Sequence, residues 1–536
     1  MSHRKNLRIW LAISMFLVAM AGLAQATTVT VGPGTGYDFD TIQAGIDAAM
    51  DADMVLVAPG EYVITEPITF RGKAITLISE TGPDETTIRM GTPADPNRGS
   101  VVVFENNETI ASILDGFTIT GGKGYRFWDS DESRFEWHGG GILFNASSAT
   151  AKNCTIVQNS TEDSGRTGDC GGGVFVGWAS SAILTNCIIS RNSCRDTGGG
   201  LFCWQDSSVT LTDCTIMDNS ATGVTAHVNG YGGGLFCGRR CLLTLVNCDI
   251  TENSAGVGGG GAMCWDNSSL EMANCEIMGN TAKRWGGGVH CDTASATLTN
   301  CIIARNSTPG IGGGMFCPYQ NSFITLSNCT VWGNSAAQSG GGIKCWGGSA
   351  TVMNSILWAN TAPNGPEISL QAAGRSSLTY SNIAGGKVGI HVQGGTLNWG
   401  EGNIDADPLF ARLGYWDDNG TRESSDDFWV DGDYHLKSQA GRWNPESQAW
   451  IQDDVTSPCI DVGDPMCPIG WELFPNGGFV NMGAYAGTPK ASRSYFGEPI
   501  CEAIIAGDIN GDGQVNRVDL EIMALHWTDD EPLPLP

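Results

Sequence analysis

The chain has 536 residues, of which 74 are glycine and only 16% are charged, and its formal net charge is −28. This composition favours short strands joined by tight turns over helical bundles. Such an acidic chain repels polyanions, which argues against nucleic acid as a partner, and it suits an exported or calcium-binding protein.

The first 26 residues have the pattern of a secretory signal peptide. A basic segment precedes an apolar run over 9–23, which ends at the cleavage motif Ala24-Gln25-Ala26. We expect bacterial-type export, a mature chain that starts at Thr27, and a location outside the cell or on its surface. The alternative is an uncleaved membrane anchor, but the apolar run is short for a membrane span. Since no later stretch is predicted to cross a membrane, we expect no span after signal removal.

A short helix is predicted just after Asp40. Asp40 suits an N-cap with Gln43 three residues later, and Ile42 and Ile46 then share one helix face. The phrase T-I-Q-x-x-I-D-A-A, followed by V-x-V-x-P-G-x-Y, resembles the N-terminal region of secreted pectate-lyase-like β-helix proteins. The resemblance implies a right-handed parallel β-helix whose open end is covered by this helix, since an unpaired strand edge needs a cover.

Eight copies of one phrase occupy residues 139–361, within a main domain over 27–400. Each copy reads G-G-G, an apolar residue, any residue and Cys, and then a polar stretch and T-L-T-x-C-x-I-x-x-N-S, as in 198–220. The triplets begin at 139, 171, 198, 232, 259, 286, 312 and 340, so they recur every 26 to 34 residues. This period predicts a solenoid with one coil of three short parallel strands per copy.

Alternation along the first strand of each copy separates an inner from an outer face. The position after the triplet is always apolar, and the Cys two residues later shares its face, so both should point inward. The position between them holds Lys344 in one copy and should point outward. In the second half, Leu211, Cys214 and Ile216 represent inward columns, and the three-residue spacing from Leu to Cys requires a bend.

One asparagine and two cysteines recur in most copies. Stacked Asn side chains such as Asn219 and Asn253 can hydrogen-bond along the solenoid, and Asn tolerates the left-handed backbone of a sharp corner. The cysteines allow two interpretations: stacked free thiols, which we favour, or disulfides within a coil, such as Cys203 with Cys214. No His or carboxylate column accompanies them, which argues against a metal array.

The repeat resembles that of chlamydial-type polymorphic outer-membrane proteins, which carry G-G-A-apolar and F-x-x-N phrases. Here G-G-G replaces G-G-A, and Ile, Val or Leu replaces the Phe. The resemblance covers about 139–361 and implies a solenoid with surface display and adhesion.

Outward aromatic side chains form the candidate ligand-binding surface. One row lies at the middle position of the first strand, and a second row directly follows the Cys of that strand. Exposed rows of this kind suit stacking on sugar rings, and the alternative is that a loop or residues 401–488 cover them. The candidates are Phe175, Phe202, Phe236, His290 and Phe316 in the first row and Trp204, Trp265 and Trp346 in the second.

Two further segments lie outside the regular repeats. A polar and aromatic insertion over 124–137 either joins a binding face or packs on a neighbouring coil. Residues 401–488 lose the period, are rich in Asp, Trp and Pro, and should form an irregular C-terminal cap, followed by a linker over 489–502.

Residues 503–528 contain a motif typical of a metal-binding loop. The acidic, Pro-rich tail over 529–536 that follows should be disordered. Oxygen ligands recur within the motif at the spacing of a twelve-residue Ca²⁺ loop, with Gly513 at the sharp turn and a short helix after it. The predicted ligands are Asp508, Asn510, Asp512, Gln514, Asn516 and Asp519.

The calcium loop resembles a dockerin repeat, because Asp519 stands at its last position and no clear helix precedes it. Dockerins normally carry two such loops and bind cohesin modules. A single loop leaves two alternatives open: a cohesin-like partner, or an isolated tag for sorting or anchoring.

The sequence thus predicts an all-β, right-handed parallel β-helix solenoid with an N-terminal capping helix, an irregular C-terminal cap and a small calcium-loop and helix module. We expect it to bind a polysaccharide or another cell-surface partner. The alternative is a polysaccharide lyase or glycoside hydrolase, whose catalytic residues stay unknown. No G-H-G-like phrase occurs, and the repeats suggest no carboxylate ladder beside an Arg or Lys base.

Overall fold

A computed structural model describes residues 26–129, 134–161, 168–225, 228–417 and 428–495, together with the single positions 419 and 517. The chain winds into a right-handed parallel β-helix, as predicted, and each coil contributes one strand to each of three long parallel sheets. The predicted signal peptide up to Gln25 and the calcium loop lie outside the described residues, except for Arg517. No helix in the described ranges combines the length and hydropathy that a membrane span needs.

Sheet I is built from the strands that follow the glycine triplets and from their equivalents in the flanking coils. Its twelve strands are Ile68–Thr69, Val102–Phe104, Ile142–Asn145, Val174–Gly177, Leu201–Trp204, Leu235–Gly238, Ala262–Trp265, Val289–Asp292, Met315–Cys317, Ile343–Trp346, Ile368–Gln371 and Ile390–Gln393.

Sheet II comes next in each coil and is the longest sheet. Its fourteen strands are Thr28–Val31, Met54–Val57, Thr76–Ser79, Ile113–Asp115, Ala149–Lys152, Ser181–Thr185, Ser208–Thr212, Leu242–Val246, Ser269–Ala273, Ser295–Thr299, Phe323–Ser327, Ser349–Met353, Arg375–Thr379 and Thr396–Trp399.

Sheet III completes each coil. Its twelve strands are Gly60–Ile64, Thr86–Met90, Thr118–Thr120, Thr155–Val157, Ile188–Ser190, Thr215–Met217, Asp249–Thr251, Glu276–Met278, Ile302–Ala304, Thr330–Trp332, Ile356–Trp358 and Asn382–Ile383. A short ladder then leads back to the next triplet through Ser193–Cys194, Ser220–Ala221, Ser254–Ala255, Thr281–Ala282, Ser307–Thr308 and Ser335–Ala336.

Identical residues of successive coils lie in register, which produces continuous columns inside the solenoid. Cys203 pairs with Cys237, and Ile216 pairs with Ile250. The apolar and Cys columns predicted to point inward are buried in one hydrophobic core. All cysteines among the described residues are free thiols, and burial raises the pKa of Cys291 to about 12. The stacked-thiol interpretation is therefore the one that the structure adopts.

The asparagine column forms a hydrogen-bonded ladder, as predicted. The Asn253 side-chain amide donates to Asn280 Oδ1 at 3.0 Å and to the Ile216 carbonyl at 2.8 Å, and the ladder ends on buried Glu367. The predicted left-handed backbone lies elsewhere, because the residue before each ladder Asn has the positive φ, as in Arg191 at 53°. The bend between the Leu and Cys columns is also left-handed, with Asn186 at φ 51°.

The N-terminal helix, α1, spans Ile42–Ala48 and buries Ile42 and Ile46. Its N-cap is Thr41, whose hydroxyl accepts a hydrogen bond from the Ala44 amide at 3.3 Å, and not Asp40 as predicted. Gln43 bonds Asp47 and the Thr69 carbonyl instead of closing a capping box. The helix starts one residue later than predicted, so the Thr41 side-chain oxygen is the one that reaches the Ala44 amide, which has no partner within the helix.

The insertion over 124–137 is an antiparallel hairpin. It pairs with the edge strand Arg98–Gly99 and with Asp169–Cys170, and its own strands are Gly124–Asp129 and Arg134–His138. Tyr125 and Phe127 pack on the outer face of sheet I, so the hairpin packs on neighbouring coils.

The irregular region over 401–488 packs along the outer face of sheet III. Trp332 of that sheet contacts Tyr434 with ring centroids 5.5 Å apart, and Asn300 donates to the Ala484 carbonyl at 3.0 Å. Its regular elements are two-stranded pairs: Phe410–Arg412 with Asp433–Leu436, Tyr415–Asp417 with Phe428–Val430, and Arg442–Asn444 with Ala449–Ile451. The remaining elements are the strand pair Val224–Thr225 with Val228–Asn229 and the 3₁₀ helix Gly386–Gly389.

Candidate functional site: an aromatic groove

The first row of aromatic candidates faces away from the solenoid interior but is not exposed. Phe175, Phe202, Phe236, His290 and Phe316 have exposed fractions between 0% and 4%. Phe175, Phe202 and Phe236 belong to an outer cluster separate from the interior core, and His290 contacts Phe316 outside that core, so the predicted direction is right and the predicted exposure is wrong. The rings are covered because aromatic side chains on both sides of the row lean over them. They therefore form the floor of a groove and have no open face for stacking on a ligand.

The second row of candidates forms one wall of this groove. The rings of Trp204 and Trp265 are stacked with centroids 5.9 Å apart and an interplanar angle of 9°. Gly238 lies between them in the ladder, and a Cβ there would approach the Trp204 ring to 3.0 Å. The two rings can stack because this position lacks a side chain. Trp346, further along the wall, is 48% exposed.

The opposite wall contains two aromatic residues that sequence reasoning missed, Tyr231 and Trp285. Each directly precedes a glycine triplet, and both occupy one ladder column with Gly258 between them. Their rings lie 6.5 Å apart at an angle of 20°. The available signal was an aromatic residue immediately before G-G-G, where other copies have Thr197 or Ser339.

Three adjoining cavities make the groove continuous along sheet I. The first, of about 310 Å³, lies between Tyr231, Trp204 and Trp265. The second, of about 480 Å³, lies beside Trp285, Tyr319 and Trp346 and shares Asp292 with the first. The third, of about 720 Å³, shares Trp285 and Trp346 with the second. A ligand in this groove would meet aromatic faces on both walls.

The two ends of the groove differ in charge. Glu136, Asp196 and Asp292 line the first cavity, where Arg239 lies 4.7 Å from the Trp204 ring centroid. Burial raises the pKa of Asp292. The third cavity is lined instead by Lys283, Arg284, Lys344 and His391, and no carboxylate belongs to its described lining.

His290 adds a neutral polar group to the floor. Its ring lies 5.0 Å from that of Phe316 and 5.8 Å from that of Tyr231. Neither ring nitrogen has a hydrogen-bond partner among the described residues, and burial lowers the pKa of His290 to about 3. The imidazole is therefore uncharged at neutral pH.

The hairpin closes the groove at its N-terminal end. Phe127 packs on Trp178 with centroids 4.8 Å apart, and His138 stacks on Phe175 at 4.4 Å. Arg98 holds the hairpin by donating to the Tyr125 hydroxyl at 2.7 Å.

A second cleft lies on the other side of the molecule, between sheet III and the region over 401–488. Its volume is about 760 Å³, and Asp249 and Glu276 line it from adjacent, directly paired ladder positions. Burial, together with the nearby charge of Asp249, raises the pKa of Glu276 to about 7. His435 and Tyr485 stack at 3.5 Å beside this pair. Sequence reasoning missed the pair because other copies have Ile or Thr in this column.

The predicted Ca²⁺ ligands lie outside the described residues and stay a prediction. Within the described ranges, no group of three or more His, Cys, Asp or Glu side chains is arranged to hold a metal ion.

Comparisons with known proteins agree with the fold. A family described as a right-handed beta helix region matches residues 96–232 and 225–357, and a family described as disaggregatase related matches 421–463. A search of curated proteins found no match.

Three solved structures illustrate the fold likeness. Pectate lyase Pel9A is 14% identical, with 86% of this chain and 97% of that chain covered and a TM-score of 0.37. The catalytic unit of a GH87 alpha-1,3-glucanase from Streptomyces thermodiastaticus is 12% identical, with 72% and 69% covered and a TM-score of 0.31. The receptor-binding domain of the Siphovirus 9NA tailspike is 11% identical, with 80% and 87% covered and a TM-score of 0.22. At these identities the likeness concerns the fold alone.

Proposed function

We propose that this protein is exported and binds a polysaccharide in the groove along sheet I. One observation carries the proposal: the walls present aromatic rings at several successive coils above a floor that is already buried. Sugar rings have apolar C–H faces that stack on such side chains, while their hydroxyl groups reach polar groups beside them.

The length of the groove favours an oligosaccharide over a single sugar. Trp204 and Trp346 are separated by five coil steps along sheet I. With a spacing of about 4.8 Å between neighbouring strands, the two side chains start roughly 24 Å apart along the axis. Several linked sugar units are needed to span that distance.

The experiment is binding of a panel of neutral and acidic oligosaccharides to the mature protein, measured by calorimetry. Trp265→Ala should weaken binding about tenfold, equivalent to about 1.4 kcal/mol, because it removes one stacking face from the wall. Phe323→Ala, at a 49% exposed position of sheet II outside both the groove and the second cleft, supplies the control. Equal affinities of wild type and Trp265→Ala for every bound glycan would rule out the groove.

A calcium-binding C-terminal module is the second part of the proposal. It is supported by the ligand spacing from Asp508 to Asp519 and belongs with a docking or sorting role, with a cohesin-like module as the partner. Calorimetry with Ca²⁺ should give one site in the full mature chain, and Asp508→Asn with Asp512→Asn should abolish it. Capture of a cohesin module only when Ca²⁺ is present would support the partner, and Ca²⁺ binding without capture would leave the isolated-tag alternative.

A glycan-cleaving enzyme is the alternative function, and the second cleft favours it. Glycosidases use two carboxyl groups, one of which carries a proton near neutral pH. Asp249 and Glu276 are neighbours in the ladder, and the pKa of Glu276 is raised to about 7. Wild type would then release new reducing ends from a polysaccharide, Glu276→Gln would lose this activity, and Trp265→Ala would retain it. That result would favour a glycoside hydrolase over a polysaccharide-binding protein. New unsaturated ends would identify a lyase.

A further inference from the structure

We propose that the C-terminal end of the groove contains an anion-binding subsite centred on Lys344, which receives the carboxylate or sulfate group of an acidic sugar. This inference rests on the proposed glycan-binding function and specifies the ligand chemistry of one end of the same groove. Lys344 lies in the groove floor, its hydrogen-bond partners are uncharged, and the cavity around it is basic.

Lys344 continues the column of the groove floor. It pairs in the ladder with Phe316 on one side and with Ser369 on the other, and its side chain is 1% exposed. Its ammonium group donates to Ser369 Oγ at 3.0 Å and to Gln371 Oε1 at 3.1 Å. Both partners are neutral, and no described Asp or Glu forms an ion pair with Lys344.

A buried ammonium without an anionic partner is unfavourable in a folded protein. Burial lowers the pKa of Lys344, which is the expected response to this environment. An anion that enters the cavity would supply the missing charge and accept the third N–H, and hydrogen bonds between charged groups are the stronger ones.

The surrounding cavity has the charge that such an anion needs. Lys283 and Arg284 line it from exposed positions, His391 lines it from the next coils, and none of its described lining residues is acidic. The charge around this cavity is therefore positive, although the net charge of the chain is −28. Trp285 and Trp346 line the same cavity, so a sugar ring can stack while its acidic substituent faces the cations.

The charge at the opposite end of the groove determines the orientation in which an acidic oligosaccharide would bind. Glu136 and Asp196 line the first cavity, and Asp292 lines both the first and the second cavity, so these three carboxylates outnumber the one arginine there, Arg239, and disfavour a carboxylate or a sulfate away from the Lys344 end. An oligosaccharide with one acidic unit should therefore bind with that unit at the Lys344 end.

The test compares wild type with Lys344→Met, which keeps the aliphatic stem and removes the charge. Calorimetry is carried out at low and high salt with three matched oligosaccharides: one uronate-containing, one sulfated and one neutral. Wild type should bind at least one acidic oligosaccharide about tenfold more tightly than the neutral one. Lys344→Met should lose this preference and keep its affinity for the neutral one, whereas Lys344→Arg should retain the preference. Lys387→Met, at an exposed lysine outside the groove, is the matched control.

A second measurement separates this inference from the proposed function. Free glucuronate and free sulfate are added to wild type and Lys344→Met, and the melting temperature is recorded. Stabilisation of wild type alone, without binding of any oligosaccharide, would uphold the anion subsite and reject the polysaccharide groove. Binding of oligosaccharides with the same acidic preference in Lys344→Met would overturn the anion subsite and uphold the groove. Should Lys344→Met fail to fold, Lys344→Gln takes its place in both measurements. The response to glucuronate against sulfate identifies which anionic group the site takes.

Discussion

On the outer face of sheet III, Trp332 is 9% exposed and packs on Tyr434 of the region over 401–488. On the outer face of sheet I, Trp346 is 48% exposed and no segment from that region contributes to the described lining of its cavities. Both faces belong to the same coils and carry aromatic side chains. An outward side chain of a solenoid therefore forms an internal packing interface where another segment of the chain covers it. Where no segment covers it, it stays available for a ligand.

The covered face should be the more sensitive one in stability. Trp332→Ala should lower the free energy of unfolding by about 3–5 kcal/mol, because it leaves a cavity between sheet III and its cover. Trp346→Ala should lower it by less than about 1 kcal/mol, since half of that ring already contacts solvent. Thermal and denaturant unfolding of both variants checks this contrast, and similar losses in the two would remove the distinction between the faces.

The covered face should also show a specific pH dependence through Glu276. The pKa of this partly buried carboxyl is raised to about 7, above its value in an unfolded chain, so the folded state holds the proton more tightly. Its contribution therefore destabilises the fold progressively as the pH rises from about 4.5 to about 7 and stays unfavourable above that.

Glu276→Gln should remove this dependence. At pH 8 the variant should be more stable than wild type by about 1–3 kcal/mol, and at pH 4 the two should be equal. Glu271→Gln, at an exposed position of the neighbouring strand, serves as the control. A stability difference of the same size at both pH values would contradict the assignment to proton binding.

The smallest expected effect is on glycan affinity when a residue of the groove floor, and not of its walls, is replaced. Phe236→Leu keeps an apolar side chain at a buried position and should cost about 1 kcal/mol of stability. Glycan affinity should change by less than about twofold, which is well below the tenfold loss expected for the wall variant Trp265→Ala. Calorimetry with the same oligosaccharide measures both affinities. A loss of affinity in Phe236→Leu as large as that in Trp265→Ala would show that the ligand contacts the floor.

Local sequence rules were sufficient for the parts of the molecule that repeat. The glycine triplet is an example: Gly198 has φ 69°, and a Cβ on Gly200 would lie 2.6 Å from the Gly234 carbonyl oxygen. The Asn ladder and the inward Cys columns follow from the same register, since each coil repeats the contacts of the coil before it. The residues of one coil therefore predict the whole interior.

The candidate site needed contacts that no single repeat contains. Phe202 is buried because Trp204 and the ring of the neighbouring Phe236 lie against it, and such contacts depend on side-chain directions across coils. Lys344 is unusual only because Ser369 and Gln371, its partners from the next coil, are neutral. Sequence spacing gives the column of each residue but not its exposure.

The sequence by itself determined the parallel β-helix, its register and the composition of its interior, because a periodic chain stacked in register has one solution for its inward side chains. The tertiary structure decided which outer face stays open, because the hairpin over 124–137 and the region over 401–488 reach their coils through long-range contacts. It also decided that the aromatic rows are a floor and a wall, with a basic end and an acidic end.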